Sequence, residues 1–347
     1  MHARPYLLLA LLALVWGVHW SITKIGLDYL PPYTYGALRA GIGLAVMAGI
    51  SARSGRQGLR LPPREDLPVV LSVGLGQIAA GIILMNVALQ SVAPGRSAIL
   101  VYTMPLWVAV MQIHSLRSGG GLGRQLGGLG LGLAGIVLLV NPLSIDWGES
   151  GQLLGTAELL ASAVIWAATT IHIRRHHWVA TPLELEPWQL LVGFIPLLVA
   201  AIAFDGGRPV DVEPISVFAV LYSGILATAL AYWLSQSISR ALSPLAATMG
   251  FLAVPVVGLV SSFVLVGEPL GLLDAVGIGL TFVGIVVVST RPDQTQGSSG
   301  SVIVRSASVA AESASAGSTS VGSASAGSTS VGSAPVGPAS EAGSAGR

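Results

Sequence analysis

VAPGRSAILVYTMPLW (92–107) and ALSPLAATMGFLAVPVVG (241–258) share one layout: an apolar run with a proline at its start and a second proline eleven residues on. A proline inside a helix removes a backbone donor and clashes with the preceding turn. In the first turn, where the N–H has no partner anyway, it costs little. Pro94 and Pro244 therefore read as helix starts, and Pro105 and Pro255 as bends about halfway along two apolar helices. The two prolines of one stretch map onto those of the other by a step of 150 in residue number. The same step relates Trp16 to Trp166, Lys24 to Arg174, Pro32 to Pro182, Gly74 to Gly224 and Asn86 to Gln236. With one residue deleted, Gly128, Gly130, Gly135 and Ile136 map onto Gly277, Gly279, Gly284 and Ile285. A near-constant offset held this long is an internal repeat.

Composition names the solvent. The 347 residues are 52% hydrophobic and 10% charged, with a mean hydropathy of +0.76. Soluble domains carry about 25% charged residues, so the chain's partner is the lipid bilayer. A net charge of +1 gives no basic field for nucleic acid. With no cysteine there is no disulfide, thiolate nucleophile, Cys-based zinc site or iron–sulfur cluster. Apolar stretches long enough to cross a bilayer fall at 6–24, 34–51, 67–89, 94–114, 124–141, 152–173, 187–204, 215–237, 244–266 and 271–290. The first reads as an uncleaved span, because Trp16, His19 and Trp20 stand where a signal peptide would carry small residues. Lipid demands internally satisfied backbone, so all ten read as helices.

The expected fold is an all-α integral membrane protein with ten transmembrane helices. They form two five-helix repeats, 1–141 and 142–290. Five is odd, so the second repeat enters from the opposite face, an inverted-topology arrangement typical of secondary transporters. Residues 291–347 are Ser/Gly/Ala-rich, with SASAGSTSVG at 313–322 and again at 323–332. They read as a disordered cytoplasmic tail, too poor in apolar groups to offset ordering entropy. Arg53, Arg56, Arg60, Arg64, Arg117, Arg124, Arg174, Arg175 and Arg240 lie on one side of the spans. Asp28, Asp146, Glu149, Asp205, Asp211 and Glu213 lie on the other. The positive-inside rule then places both termini in the cytoplasm.

ALVWGVHWSITKIGL, GALRAGIGLAVMAGI, ALQSVAPGRSAILVYTMPLWVAVM and LVGEPLGLLDAVGIGLTFVGIVVV occur in an order that resembles the EamA-type drug/metabolite transporter family, over about residues 6–290. The resemblance implies an inner-membrane carrier with a central cavity between two five-helix halves, moving small metabolites and often exporting amino acids or related compounds. One departure is visible: Ser118 stands where repeat symmetry would place a partner for Glu268.

Trp16, His19, Trp20, Thr23 and Lys24 form one stripe of the first span, repeated in the sixth by Trp166, Thr169, Thr170 and Arg174 and extended upstream through Ser162 to Glu158. A polar stripe in a membrane faces protein or water, so these read as cavity walls; anchoring at the lipid–water interface is the competing reading. Glu158 is the acidic residue that falls inside a span, suited to coupling a proton or binding a cationic group. Arg39 would meet an acidic partner such as Asp28 or a substrate anion. Asn86 and Gln236 would hydrogen-bond substrate or join helices. Tyr102 and Thr103 would lie beside the Pro105 bend. Gly41, Ala45 and Gly49, and the GxxxG of Gly128 and Gly132, would allow close helix approach.

The function expected is secondary active export of small polar metabolites by alternating access between the repeats. An intramembrane enzyme or a non-transporting receptor or subunit is the alternative. The chain has no HExxH and no Gly-x-Ser-x-Gly, and its Gly-rich 121–136 stretch lacks the strand context of a nucleotide loop. No cofactor or metal is expected. The partners are a small-molecule substrate, the bilayer, and a proton or other coupling gradient. Because the chain has no native cysteine, single cysteines report topology without background. A cysteine at Asp28 or Asp211 is expected to react with an impermeant maleimide in intact cells, and one at Arg60 only after permeabilisation.

Overall fold

A computed structural model describes residues 3–53, 59–111, 122–140, 150–241, 251, 253–269 and 271–289. All of these lie in one compact unit, Met1–Arg291. The 291–347 tail, Pro244 and Ser118 therefore fall outside the described residues. In chain order the elements are α1 (Ala3–Leu27), α2 (Pro32–Arg53), α3 (Leu67–Ser72), a π-helical segment π1 (Val73–Ala80), α4 (Gly81–Ala88), α5 (Pro94–Val101), α6 (Met104–Met111) and α7 (Leu122–Val140). The second half follows with α8 (Ser150–Arg175), α9 (Pro182–Phe204), α10 (Pro214–Leu221), π2 (Tyr222–Leu230), α11 (Ala231–Ala241), α12 (Ala253–Leu265) and α13 (Leu272–Ser289). Among the described residues there is no strand.

Among the described residues, six helical stretches are long and apolar enough to cross a membrane: Leu7–Leu27, Pro32–Arg53, Arg64–Ala88, Gly151–Arg175, Pro182–Phe204 and Pro214–Ile238. Leu126–Leu138, Ala253–Leu265 and Ala275–Val287 are shorter apolar helices. Their outward faces carry exposed side chains such as Ile202, Phe204, Val264 and Leu7, as lipid-facing surfaces require.

Several spans differ in detail from the expected ones. The seventh span begins at Pro182 rather than near 187, because Thr181 and Glu184 form a capping box: Glu184 Oε2 accepts from the Thr181 N–H at 2.7 Å. The fourth is interrupted at Tyr102 and Thr103, so α5 ends one turn before Pro105 and α6 restarts with Pro105 in its first turn. A proline there needs no intrahelical donor, which is why the break precedes it. Pro255 lies in the first turn of α12, next to undescribed residues, so a bend there falls outside the described chain. The third and eighth spans each contain a π segment that apolar periodicity does not reveal.

The packing pairs across the repeat. α2 lies against α9 and α7 against α13, each helix meeting its own counterpart. α9 packs on π1 as α2 packs on π2. Glycine permits these crossings. A Cβ on Gly43 would stand 3.2 Å from the Gly224 carbonyl oxygen, and one on its counterpart Gly193 would stand 2.9 Å from that of Gly74. In the α7–α13 pair, a Cβ on Gly135 would stand 2.6 Å from both the Gly277 carbonyl oxygen and the Thr281 nitrogen. Gly128 meets Val287 and the Gly284 carbonyl, and Gly132 meets Leu106, so the GxxxG does sit at contacts. In the Gly41, Ala45, Gly49 row, Gly41 meets α9, where a Cβ would stand 3.1 Å from the Phe194 ring; Ala45 is exposed, and the neighbour of Gly49 is Arg53 of its own helix. Gly43, buried in that helix, is the one of its glycines whose Cβ would meet the backbone of another helix.

Backbone atoms cannot yield as a flexible side chain can. Gly135→Ala is therefore expected to destabilise the protein by about 1–3 kcal/mol. Gly130→Ala, with open space around it, is expected to be neutral or slightly stabilising. Thermal melts of the two variants in one detergent check the difference.

Candidate functional site

The two halves meet at a cluster of aromatic rings. Trp16 of α1 touches Trp166 of α8 edge-on, with centroids 5.8 Å apart, and Tyr232 of α11 edge-on at 5.7 Å. Trp166 and Tyr232 are 6.0 Å apart, and Phe251 lies 6.5 Å from Trp16. Trp16 Nε1 donates to the Ala227 carbonyl in π2 at 3.0 Å, and the Tyr232 hydroxyl donates to the Gln77 carbonyl in π1 at 3.2 Å. Gln77 and Ala227 are equivalent positions of the repeat. A π turn departs from the regular i to i−4 ladder, and here each π segment offers a carbonyl to an aromatic donor from the opposite half. The sequence reading paired Trp16 with Trp166. It did not identify Tyr232, which takes on the Gln77 carbonyl.

Polar groups line the Trp16 side of this cluster. His19 stacks on Tyr222 at 6.4 Å and lies 3.3 Å from Ser223 Oγ, with Thr23 one turn along. Tyr35 donates to the Ala219 carbonyl at 3.1 Å and contacts Ser223. Arg39 is only 3% exposed, and its Nε donates to Thr228 Oγ1 at 3.1 Å. Asp28 is not its partner. The guanidinium, contributed by the first half, bonds to a π2 residue of the second and has no salt bridge to a carboxylate among the described residues.

Other expected site residues are placed elsewhere. Trp20 is buried in a separate apolar group with Leu89, Val101 and Leu106. Tyr102 packs against both that group and the main core. Thr103 donates to the Leu100 carbonyl at 2.6 Å and accepts from Trp107 Nε1 at 3.2 Å, which closes the break before Pro105. Asn86 Nδ2 ties α4 to the Pro32 carbonyl at 3.0 Å. Gln236 Nε2 donates to Gln189 Oε1 of α9 at 2.9 Å. Thr169 bonds back to Ile165 in its own helix, Thr170 is half-buried, and Glu158 is half-buried on α8. Lys24 Nζ donates to the Leu89 carbonyl at 2.9 Å, holding the C-terminal end of α4 rather than lining the cluster.

Two acids outside the cluster fasten helix ends. Glu268 accepts from the Gly95 N–H at 2.8 Å and the Arg96 N–H at 3.3 Å, satisfying the open donors at the start of α5 from across the repeat. Asp205 accepts from the Thr34 N–H at 2.7 Å at the start of α2. The acid missed in the sequence is Glu186 of α9, fully buried. The signal for it was TPLE at 181–184: a capping box starts the helix early enough to carry Glu186 inside.

The chain belongs to the EamA-like transporter family, whose model matches residues 3–141 and again 153–290. It is a multi-pass membrane protein. Among its relatives, a probable amino-acid metabolite efflux pump of Escherichia coli is 27% identical over 304 residues, covering 84% of this chain and 94% of its own. The uncharacterized transporter YoaV of Bacillus subtilis is 25% identical over 274 residues, covering 78% and 92%. A solved crystal structure, 22% identical, matches with a TM-score of 0.58 over 83% of this chain and 96% of its own, and shares the fold.

Trp16→Phe keeps the ring contacts and leaves the Ala227 carbonyl without its side-chain donor. It is expected to cost about 1–3 kcal/mol, the desolvation penalty of an unpaired buried group, read as a lower melting temperature in detergent.

Proposed function

We propose that this protein is a secondary active transporter that exports small polar metabolites, such as amino acids or related compounds, across the inner (plasma) membrane. Its ten transmembrane helices form two inverted five-helix repeats, 1–141 and 142–290, with both termini and the 291–347 tail in the cytoplasm. The halves rock against each other and expose a shared site alternately to either side. The observation that carries this reading is the aromatic seam. Trp16 and Tyr232 each come from one half and each bond a carbonyl in a π segment of the other, so relative motion of the halves must open and remake these contacts. Two equivalent, discrete arrangements are what alternating access requires.

The groups beside the seam suit a substrate with an anionic end and an apolar body. Arg39 presents a buried guanidinium with donors for a carboxylate, and Trp16, Trp166 and Tyr232 offer ring faces. His19, Trp20, Asn86, Tyr102, Thr103, Glu158, Thr169, Thr170 and Gln236 complete the proposed lining as the halves part. Export is the direction supported by the efflux-pump relative.

The test is flux in proteoliposomes. Saturable uptake of labelled amino acids, driven by an imposed gradient and accelerated by unlabelled substrate on the far side, is the expected result. Arg39→Gln is expected to lower kcat/KM for carboxylate-bearing substrates about tenfold or more, the loss of one charge-assisted hydrogen bond. Conversion of substrate without net movement would overturn the reading.

A further inference from the structure

The structure buries several acids, and it treats Glu186 differently from the others. Asp66 is fully buried, yet it accepts from His176 at 2.7 Å, the Ala180 N–H at 2.8 Å and the Val179 N–H at 3.3 Å. Asp205 has Thr34 and Arg208. Glu186 is 1% exposed, and neither of its carboxyl oxygens makes a hydrogen bond. The Trp233 backbone lies beside it without completing one. Two buried amides nearby in the chain's packing, Gln189 on the same helix and Gln236 bonded to it, also carry unpartnered atoms. Gln189, one turn along α9 on the same face, has an unpartnered Nε2, and Gln236 of α11 has an unpartnered Oε1. Gln236 Nε2 and Gln189 Oε1 are joined at 2.9 Å, which holds the two amides and hence α9 and α11 together.

The unsatisfied atoms form a matched set. Two carboxyl oxygens and one amide oxygen lack donors, and both N–H groups of one amide nitrogen lack acceptors. An ionised carboxylate would leave the excess of acceptors uncorrected in a dry interior, at a high cost. A single proton on one Glu186 oxygen supplies one further O–H donor and leaves the other oxygen a neutral carbonyl acceptor.

We propose that Glu186, Gln189 and Gln236 form a proton-binding site of the carrier, occupied in this conformation and emptied when α9 and α11 separate. The bond formed and broken is the Glu186 O–H. On separation its proton passes to water at the membrane face where α9 begins, and the carboxylate is hydrated. The elements packed on α9 are α2, α3, π1 and α11. Of these, α3 and π1 carry no titratable residue. The titratable groups described on α2 are Tyr33, Tyr35, Arg39 and Arg53. On α11, Tyr232 stands within electrostatic reach of both Glu186 and Arg39, so the proposed proton and the proposed anion site share one neighbour. On α9 itself, Glu184 is engaged by Thr181 at the helix start. Glu158, the acid that sequence alone put forward for this role, is only half-buried.

The site rests on the transport reading only for its consequence, so occupancy is tested apart from flux. Dicyclohexylcarbodiimide adds to protonated carboxyls in apolar surroundings and leaves an N-acylurea that mass spectrometry locates. Purified full-length protein is expected to be labelled at Glu186, to a degree that falls as pH is raised, with Glu184 unlabelled. Gln189→Leu and Gln236→Leu are expected to shift the midpoint of that pH dependence. Absence of label at Glu186 across the pH range, or label with no pH dependence, overturns the proposal. In flux, Glu186→Gln is isosteric and is expected to retain substrate exchange while losing the acceleration by a pH gradient. Unchanged gradient dependence in Glu186→Gln also overturns it. Labelled Glu186 in a protein that moves no substrate would sink the transport reading and leave the proton site standing.

Discussion

Two crossings of backbone on backbone hold this molecule in register. At Gly43 and Gly224, α2 passes π2 so closely that a Cβ on Gly224 would stand 3.1 Å from the Arg39 carbonyl oxygen. At Gly193 and Gly74, α9 passes π1, and a Cβ on Gly74 would stand 2.8 Å from the Gln189 carbonyl oxygen. In a lipid solvent there is little hydrophobic drive between helices, so association depends on close packing and interhelical hydrogen bonds. Glycine is what lets the helices come this near. Each crossing joins one half of the chain to the other.

Arg39 and Gln189 are equivalent positions of the repeat, and each sits at such a crossing. The same backbone frame thus presents a guanidinium on one side and an amide on the other. Arg39 reaches Thr228 on π2; Gln189 reaches Gln236 on α11 and leaves Glu186 beside it without a donor. The repeat supplies two matched places, and divergence has given them different chemistry. The aromatic seam shows the same pattern. Trp16 bonds to π2, but on the π1 side Tyr232 holds the carbonyl that strict symmetry would assign to Trp166.

The ends of the helices are secured by acids whose roles are local. Glu268 serves α5, Asp205 serves α2, and Asp66 holds the turn leading into α9. Such contacts at helix N-termini answer the open N–H groups there. These three acids are therefore structural rather than idle surface charge.

The sequence by itself determined the membrane class, the internal repeat and the family, because these rest on composition, apolar length and a constant offset, all properties of the chain read in order. It also pointed to a distortion of the fourth span around Pro105 and to close approach at Gly128 and Gly132, since proline and glycine act through their own backbone geometry. Only the tertiary structure decided which polar residues matter together. Gly43 against the Gly224 carbonyl, the full burial of Glu186 beside the half-burial of Glu158, and Tyr232 as the partner of Gln77 all depend on which face of one helix meets which face of another. A π segment shifts that facing partway along a span, and a capping box shifts where a span begins. Neither change alters the apolar count. The identity of the lining is therefore a property of the contact between halves, which sequence spacing within either half does not contain.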